Sequence, residues 1–261
     1  MTAPSYPTFN RRGFRMYQGQ GGLDDVIGVT SGLKNIDKSG LGFARARSAA
    51  VCAWEDIDKL VGWVRDDNQK AFVDHVRNAA SREWGAAADL GTEVHALAES
   101  IFRFEDLGHI QKKHQGFIEQ LRKFSDDFDV EPLEVECTAW NETVGYAGTI
   151  DLIARVGGET VILDIKTGAS GIWPDVALQL SAYGHAEFLI DPDGTRRDLP
   201  ELDGAAALSL RPDHYSLVPV RIDDDVFDLF KHLVAVAEWQ REISRTVLGN
   251  PVEPARTGGD S

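Results

Sequence analysis

The chain has 261 residues, 43% of them hydrophobic, and its excess of aspartate and glutamate gives a formal net charge of −15. This length is enough for one domain with a substantial core, with two small domains as the alternative. The charge excludes a protein that binds nucleic acid over its whole surface, because phosphate contacts require concentrated Lys and Arg. A local basic groove is compatible with it.

Cys52 and Cys137 are the only cysteines in the sequence. Two cysteines are too few for a disulfide framework or for a metal site made of four thiolates. The sequence contains no run typical of a membrane span, and its polar start lacks the apolar segment of a signal peptide. We therefore expect a cytoplasmic protein with no membrane contact.

The first third of the chain has a weak pattern followed by helical ones. Residues 1–22 resemble an irregular leader, and residues 26–31 favour either a short strand or a capped helix. Apolar residues then recur at helical spacing over residues 43–65, which predicts one amphipathic helix or two short ones. Helices are also predicted over 71–84, 86–104 and 112–128, and a strand over 133–140.

The predicted helix over 86–104 carries a histidine beside its apolar stripe. His95 lies four residues after Gly91 and close to Glu93 and Glu99. A single histidine in such a position is most often a core or boundary residue, and the spacing by itself does not exclude that interpretation.

Two β-rich runs, residues 149–156 and 160–166, are joined by Gly157-Gly158. Two adjacent glycines predict a tight hairpin, because such a turn requires positive φ. In that register paired positions sum to 315, so Asp151 lies opposite Asp164, where like charges are unfavourable. Strand alternation places Lys166 on the face of both carboxylates.

Two carboxylates and an ammonium on one strand face indicate a divalent-cation site near a phosphate. The alternative is a solvated face with an ordinary salt bridge. The apolar residues between them favour a buried hairpin, in which polar side chains require a reason. Glu136, on the preceding strand, could add a carboxylate or be an ordinary polar strand residue.

The remainder of the chain is predicted to be a helix, two strands and a helix. Pro174 suits the start of a helix over 175–188, where Gln179 and Tyr183 lie four apart on one face. A polar loop is predicted over 191–204, strands over 205–210 and 215–222, and a final helix over 225–247. Residues 253–261 are predicted to be disordered.

Several of these elements resemble the RecB-like branch of the PD-(D/E)XK nucleases. The similarity covers about residues 84–188 and consists of Gly91-x-x-x-His95, Gly148-x-x-Asp151, Asp164-x-Lys166 and Gln179-x-x-x-Tyr183. It implies an α/β, restriction-endonuclease-like core, with a mixed β-sheet flanked by helices and a helical N-terminal region. The corresponding division is 1–83 for the N-terminal region, 84–250 for the nuclease core and 251–261 for the tail.

The resemblance also implies a site built around Mg²⁺ or Mn²⁺. In that site Asp151 and Asp164 hold the metal, the Ile165 carbonyl and His95 complete its ligands, and Lys166 acts on water or phosphate. Gln179 and Tyr183 contact the substrate or fix the catalytic groups. The auxiliary candidates are Glu136, Glu93 and Glu99. Some related CRISPR-adaptation nucleases carry an iron–sulfur cluster on four cysteines, which this chain lacks.

By resemblance, the expected reaction is hydrolysis of DNA phosphodiesters to leave 5′-phosphate ends. The preferred version is a phage-type exonuclease in recombination, repair or replication, acting in the host cytoplasm. A recombination or single-strand-annealing partner and oligomerisation are compatible with it. The alternatives are a catalytically silent DNA-binding or adaptor protein and a metal hydrolase of another phosphoester. Exonuclease and endonuclease action are not distinguished.

Overall fold

The computed structural model describes residues 6–36, 39–168 and 171–252. Within these ranges the strands are β1 (Thr8–Arg11), β2 (Phe14–Tyr17), β3 (Val26–Gly28), β4 (Glu131–Asn141), β5 (Tyr146–Val156), β6 (Glu159–Lys166), β7 (Phe188–Ile190), β8 (Arg196–Arg197), β9 (Gly204–Leu210) and β10 (Tyr215–Pro219). The helices are α1 (Val29–Gly32), α2 (Ser39–Glu55), α3 (Ile57–Arg65), α4 (Gln69–Arg77), α5 (Ala79–Phe102), α6 (Lys112–Asp127), α7 (Asp175–Gly184) and α8 (Asp224–Arg241). The tail predicted to be disordered, 253–261, lies outside the described residues.

Strand β5 lies at the centre of one mixed sheet. Strand β4 pairs with β5 antiparallel along one edge, from Tyr146 to Arg155. The other edge is shared, because β3 pairs with it in parallel near Tyr146 and β6 pairs antiparallel from Leu152 onward. Strand β6 continues the sheet through a parallel pairing with β9, and β9 pairs with β10. The predicted α/β fold, a mixed sheet flanked by helices, is confirmed.

Helices cover both faces of this sheet and bury a core on each. Helices α1, α7 and α8 pack on one face, around Ile153, Ile162 and Phe230. Helices α5 and α6 pack on the other, around Leu152 and Leu163. A third apolar group joins the N-terminal strands to Trp140 of β4. None of the helices in the described ranges is both long and apolar enough to cross a bilayer.

The hairpin between β5 and β6 has the predicted turn and register. Gly157 has φ 59° and Gly158 has φ 93°, and both values lie in the left-handed region that glycine adopts without steric cost. Val156 pairs with Glu159 and Leu152 with Leu163. The turn therefore fixes where Asp151 and Asp164 lie along their strands.

The prediction of an irregular leader over 1–22 was wrong for residues 8–17, and residues 1–5 lie outside the described ranges. Strands β1 and β2 form a hairpin, and its turn contains Arg12 (φ 56°) and Gly13 (φ 84°). All four residues of β1 are exposed, so the strand lacks the apolar alternation that marks a half-buried strand. The alternatives for residues 26–31 both occur, because β3 leads directly into α1.

The helix predicted over 175–188 ends earlier, at Gly184. A Cβ at Gly184 would lie 2.9 Å from Ile222 Cδ1, so this position is packed closely against the chain beyond β10. Phe188 then pairs with Trp140 as part of β7. The predicted loop over 191–204 contains the short strand β8, the last helix ends at Arg241, and α5 runs without a break across residues 83 and 84.

We expect Gly158→Ala to lower the free energy of unfolding by about 1 kcal/mol, because an L-residue at φ 93° is strained. Gly204→Ala is the matched control, since its φ is ordinary and a Cβ there would meet nothing within 4 Å. Urea denaturation of both variants measures the difference. Equal stability of the two variants would show that the Gly157-Gly158 turn does not require positive φ.

Candidate metal and catalytic centre

The candidate centre lies where β5 and β6 separate. Their pairing ends at Leu152 and Leu163, although both strands continue beyond it. At this point the Asp151 side chain takes the position of a strand partner, and its Oδ2 accepts a hydrogen bond of 2.7 Å from the Ile165 backbone N–H. We call this separation of β5 from β6 the fork.

The side-chain alternation of β5 is interrupted at the fork. Ile150 packs in the α7/α8 core and Leu152 in the α5/α6 core, although residues two apart in a strand ordinarily share a face. On β4, Glu136 has φ 49°, which is uncommon for a residue other than glycine and recurs at functional sites. Asp151 therefore points into the fork and not onto the sheet face predicted by simple alternation.

His95, Glu136 and Asp151 converge at the fork. Each offers one ligand atom, and these atoms all lie within 4.8 Å of one another. His95 Nδ1 is 3.6 Å from Asp151 Oδ2, and both side chains are largely buried. Two carboxylates with an imidazole suit Mn²⁺, and the carboxylates also suit Mg²⁺. Glu136, predicted only as an auxiliary residue, thus lies in the same group as His95 and Asp151.

Asp164 and Lys166 form a second group beside the first. Asp164 is 3% exposed, and its Oδ2 is 2.7 Å from Lys166 Nζ. Gln179 joins both, since its Nε2 donates to Asp164 Oδ1 at 2.7 Å and its Oε1 accepts from Lys166 at 3.2 Å. Its Nε2 also lies 3.4 Å from the Tyr183 hydroxyl. Gln179, with Tyr183 beside it, therefore holds Asp164 and Lys166 from the side of α7.

Burial and neighbouring charges shift the pKa values of Asp151 and Asp164 in opposite directions. Burial raises the pKa of Asp164 to about 6, against the opposing effect of Lys166. Burial also acts to raise the pKa of Asp151, but His95 and the Ile165 N–H outweigh it and leave that pKa below its ordinary value. The pKa of His95 is raised, because the attraction of Asp151 outweighs burial.

The residues at the fork fit a divalent cation. Asp164 Oδ2 is buried, and although it is ion-paired with Lys166 it has no well-directed hydrogen bond from the described residues. A buried carboxylate oxygen in that state is costly unless a cation or donor satisfies it. The predicted ligand Asp164 is not part of the group that His95, Glu136 and Asp151 form, and its Oδ2 already has Lys166 as the partner in an ion pair. The donor set that the structure brings together is therefore one imidazole and two carboxylates, which suits a divalent cation. Ile165 contributes its N–H to Asp151, which places its backbone at the same centre.

The two other glutamates predicted as auxiliary residues have different partners. Glu93 is ion-paired with Lys113 and lies 2.8 Å from His114 Nε2, which joins α5 to α6. Glu99 is paired with Arg103 at 3.1 Å on its own helix. Neither glutamate belongs to the converging ligand group.

The glycines of the two motifs permit close approach at the centre. A Cβ at Gly148 would lie 2.5 Å from Tyr183 Cε1, so β5 can contact α7 only with glycine at this position. A Cβ at Gly91 would lie 3.0 Å from Thr167 Oγ1, so glycine lets α5 approach the segment after Lys166. The two glycines thus bring the helices carrying His95 and Gln179 against the fork.

Arg211, directly after β9, supports the centre although no motif in the sequence predicts it. Its guanidinium donates to the backbone oxygens of Lys166, at 3.0 Å, and of Leu210, at 2.8 Å, and also to that of Gly168. It therefore holds the end of β6 against the end of β9. In the sequence, the one sign of this role is that Arg211 directly follows a predicted strand. That position indicates a role at the centre only when the parallel pairing of β9 with β6 is known.

Among the described residues, one further group has metal-ligating side chains close together, at Cys52, Asp56 and His75. Here His75 Nε2 lies 2.5 Å from Asp56 Oδ2, and the Arg82 guanidinium donates to Cys52 Sγ at 3.3 Å. Arg82 places a fixed positive charge at the thiol, which opposes binding of a cation. The geometry is that of an ordinary ion-paired cluster.

Comparison with known proteins gives no family assignment. No protein-family model matches the chain, and no curated protein matches it. A solved structure described as "Crystal structure of SSO0001" is 14% identical and aligns over 70% of each chain with a TM-score of 0.36. A likeness at this level identifies neither a shared fold nor a function.

We expect Mn²⁺ to raise the melting temperature, because it binds only the folded protein, and 100 times its dissociation constant should add about 2.7 kcal/mol. Asp151→Asn should respond much less to Mn²⁺. Its apo form should be less stable than the wild type, since the amide oxygen can still accept from Ile165 but the attraction between His95 and the Asp151 carboxylate is lost. Calorimetry with and without Mn²⁺ measures both quantities.

The matched control is Glu99→Gln, which removes a carboxylate from α5 outside the ligand group and should keep the wild-type response to Mn²⁺. A full Mn²⁺ response in Asp151→Asn would contradict the assignment of Asp151 as a ligand. An apo melting temperature equal to or above that of the wild type would contradict the attraction between His95 and Asp151.

Proposed function

We propose that this chain is a metal-dependent deoxyribonuclease of the RecB-like PD-(D/E)XK type, which hydrolyses DNA phosphodiesters. The observation that carries the proposal is the fork, where the His95–Glu136–Asp151 group lies beside the Asp164–Lys166 ion pair. Carboxylates for a hard cation next to a fixed ammonium provide what hydrolysis of a phosphodiester requires. The sequence motifs add the resemblance to this class of nuclease.

In this proposal each residue has a role that its contacts support. His95, Glu136 and Asp151, with Asp164, would hold Mg²⁺ or Mn²⁺. When bound, the ion supplies Lewis acidity toward water and toward the scissile phosphate. Lys166 offsets the negative charge that develops on the phosphate, and the surrounding aspartates keep its pKa above the ordinary value despite burial.

Gln179 and Tyr183 act as positioning residues in this scheme. Gln179 is 8% exposed and hydrogen-bonds both Asp164 and Lys166, so it fixes the ammonium relative to the carboxylate. Burial raises the pKa of Tyr183 well above its ordinary value, so its hydroxyl stays protonated. A neutral hydroxyl beside Gln179 orients the amide without adding a charge.

The preferred biological version is an exonuclease that processes DNA ends in phage-type recombination, repair or replication. It rests on the motif resemblance, as do an annealing partner and cytoplasmic action. The test incubates linear, circular, single-stranded and duplex DNA with Mg²⁺, Mn²⁺ or EDTA. Metal-dependent loss of linear DNA alone supports an exonuclease, and cleavage of circles supports an endonuclease. Binding without cleavage would support a silent adaptor, and hydrolysis of nucleotides alone another phosphoesterase.

Lys166→Ala should lower the rate of DNA cleavage by at least about 100-fold, because it removes the cation that stabilises charge on the phosphate. Its affinity for Mn²⁺ should remain close to that of the wild type. Lys231→Ala, which removes a surface lysine paired with Asp228, is the matched control and should cleave normally. Wild-type cleavage by Lys166→Ala would refute the assignment of the catalytic centre.

His95→Ala should reduce activity with Mn²⁺ more than activity with Mg²⁺, since an imidazole nitrogen favours Mn²⁺. The ratio of the two rates is independent of how much protein is folded. If His95 is only a core residue, the variant will unfold more easily while that ratio stays unchanged. His232→Ala, on the exposed part of α8, controls for loss of a histidine outside the centre.

A further inference from the structure

A cleft of about 1010 Å³ opens beside the catalytic centre. Its lining includes Lys166 and Gln179 of the candidate centre. Its walls come from residues 30–36, from the first turns of α2 and from the segment that precedes α7. This volume is at the upper end of the range for small-ligand pockets, and it can hold a few nucleotides of one strand.

The cleft is locally basic although the chain is acidic. Its lining has three positively charged residues, Lys34, Arg45 and Lys166, and one negatively charged residue, Asp175. Lys34 Nζ donates to the Gly13 carbonyl at 2.7 Å, which fixes the ammonium and leaves it further donors. The Arg45 guanidinium lies 5.9 Å from the centre of the Trp84 ring. Each of these two cations is thus held by a contact that does not involve Asp164.

Trp173 lies in the same lining and is 56% exposed. Its ring lies beside the start of α2, because a Cβ added at Gly40 would be 3.9 Å from Trp173 Cη2. An indole that is supported at its edge and open to the cleft offers a surface on which a base can stack. Inside a duplex both faces of a base are covered by its neighbours, so an unstacked base of a single strand is the partner that can use this surface.

We propose that this cleft selects single-stranded DNA and leads it to the centre, with Trp173 stacking on one base and Lys34 and Arg45 contacting phosphates. The proposal rests on the proposed nuclease function and adds the strand preference and the residues that set it. Cations for the backbone together with an aromatic platform form the usual arrangement for sequence-independent binding of single strands. Lys166, which lies both in the cleft lining and at the centre, then contacts the phosphate to be cleaved.

The test measures binding by fluorescence anisotropy of a labelled single strand and of a blunt duplex, in EDTA so that the DNA stays intact. The wild type should bind the single strand more tightly. Trp173→Ala should weaken single-strand binding about 5- to 150-fold and leave duplex binding unchanged, and Trp173→Phe should restore most of the loss. Trp54→Ala is the matched control, because Trp54 is 83% exposed and does not line the cleft.

The phosphate contacts are tested by the salt dependence of the same binding. Lys34→Ala and Arg45→Ala should each reduce the slope of log affinity against log salt by about 0.7 for a single strand. Arg47→Ala is the control, since Arg47 is exposed on α2 but does not line the cleft. An unchanged slope in both cleft variants would overturn the assignment of these cations.

The two proposals fail in distinguishable ways. Single-strand binding that is absent in the wild type, unaffected by Trp173→Ala, or weakened equally with duplex binding would overturn the inference about the cleft. Cleavage is measured separately with Mn²⁺. A wild type that cleaves no DNA but shows binding dependent on Trp173 would refute the nuclease and retain the cleft. DNA cleavage by the wild type, with no effect of Trp173→Ala on strand preference, would support the nuclease and refute the inference about the cleft.

Discussion

The centre depends on one hydrogen bond, from the Ile165 backbone N–H to the Asp151 carboxylate. A strand partner would ordinarily satisfy that N–H, and β6 would then continue alongside β5. With a side chain in that position the strands separate, and the edge of β5 opens between β3 and β6. The space that results admits His95 from one face of the sheet and the Asp164–Lys166 pair from the other.

Burying so many ionisable groups requires that each be compensated. Asp151 is compensated by His95 and the Ile165 amide, and Asp164 by Lys166 and Gln179. At Asp164 burial outweighs these contacts and leaves the pKa raised. In the proposed function a bound divalent ion would add to the compensation of the carboxylates at the fork.

Local sequence chemistry was sufficient to predict the hairpin. Gly157-Gly158 determines the turn, and the turn determines the register of Asp151 and Asp164. The direction of Asp151 was not predictable, because it depends on the interrupted alternation opposite Glu136, whose positive φ has no marker in the sequence. A glutamate in a strand is ordinarily a surface residue.

The same limit applies to residues whose role depends on pairings distant in sequence. Arg211 stabilises the centre because β9 lies parallel to β6, and Trp173 lines the cleft because α2 begins beside it. Strand β1 was not predicted because an exposed edge strand needs no apolar pattern. Patterns of burial were therefore predictable from the sequence, whereas contacts between exposed or polar residues required the topology.

The most direct test of the account is an anomalous difference map from crystals soaked in Mn²⁺. The account predicts a peak at the fork, within ligand distance of His95, Glu136 and Asp151 and next to Asp164. A map with no peak there, or with its strongest peak at Cys52, Asp56 and His75, would contradict the claim that the separation of β5 from β6 builds a metal-dependent catalytic centre.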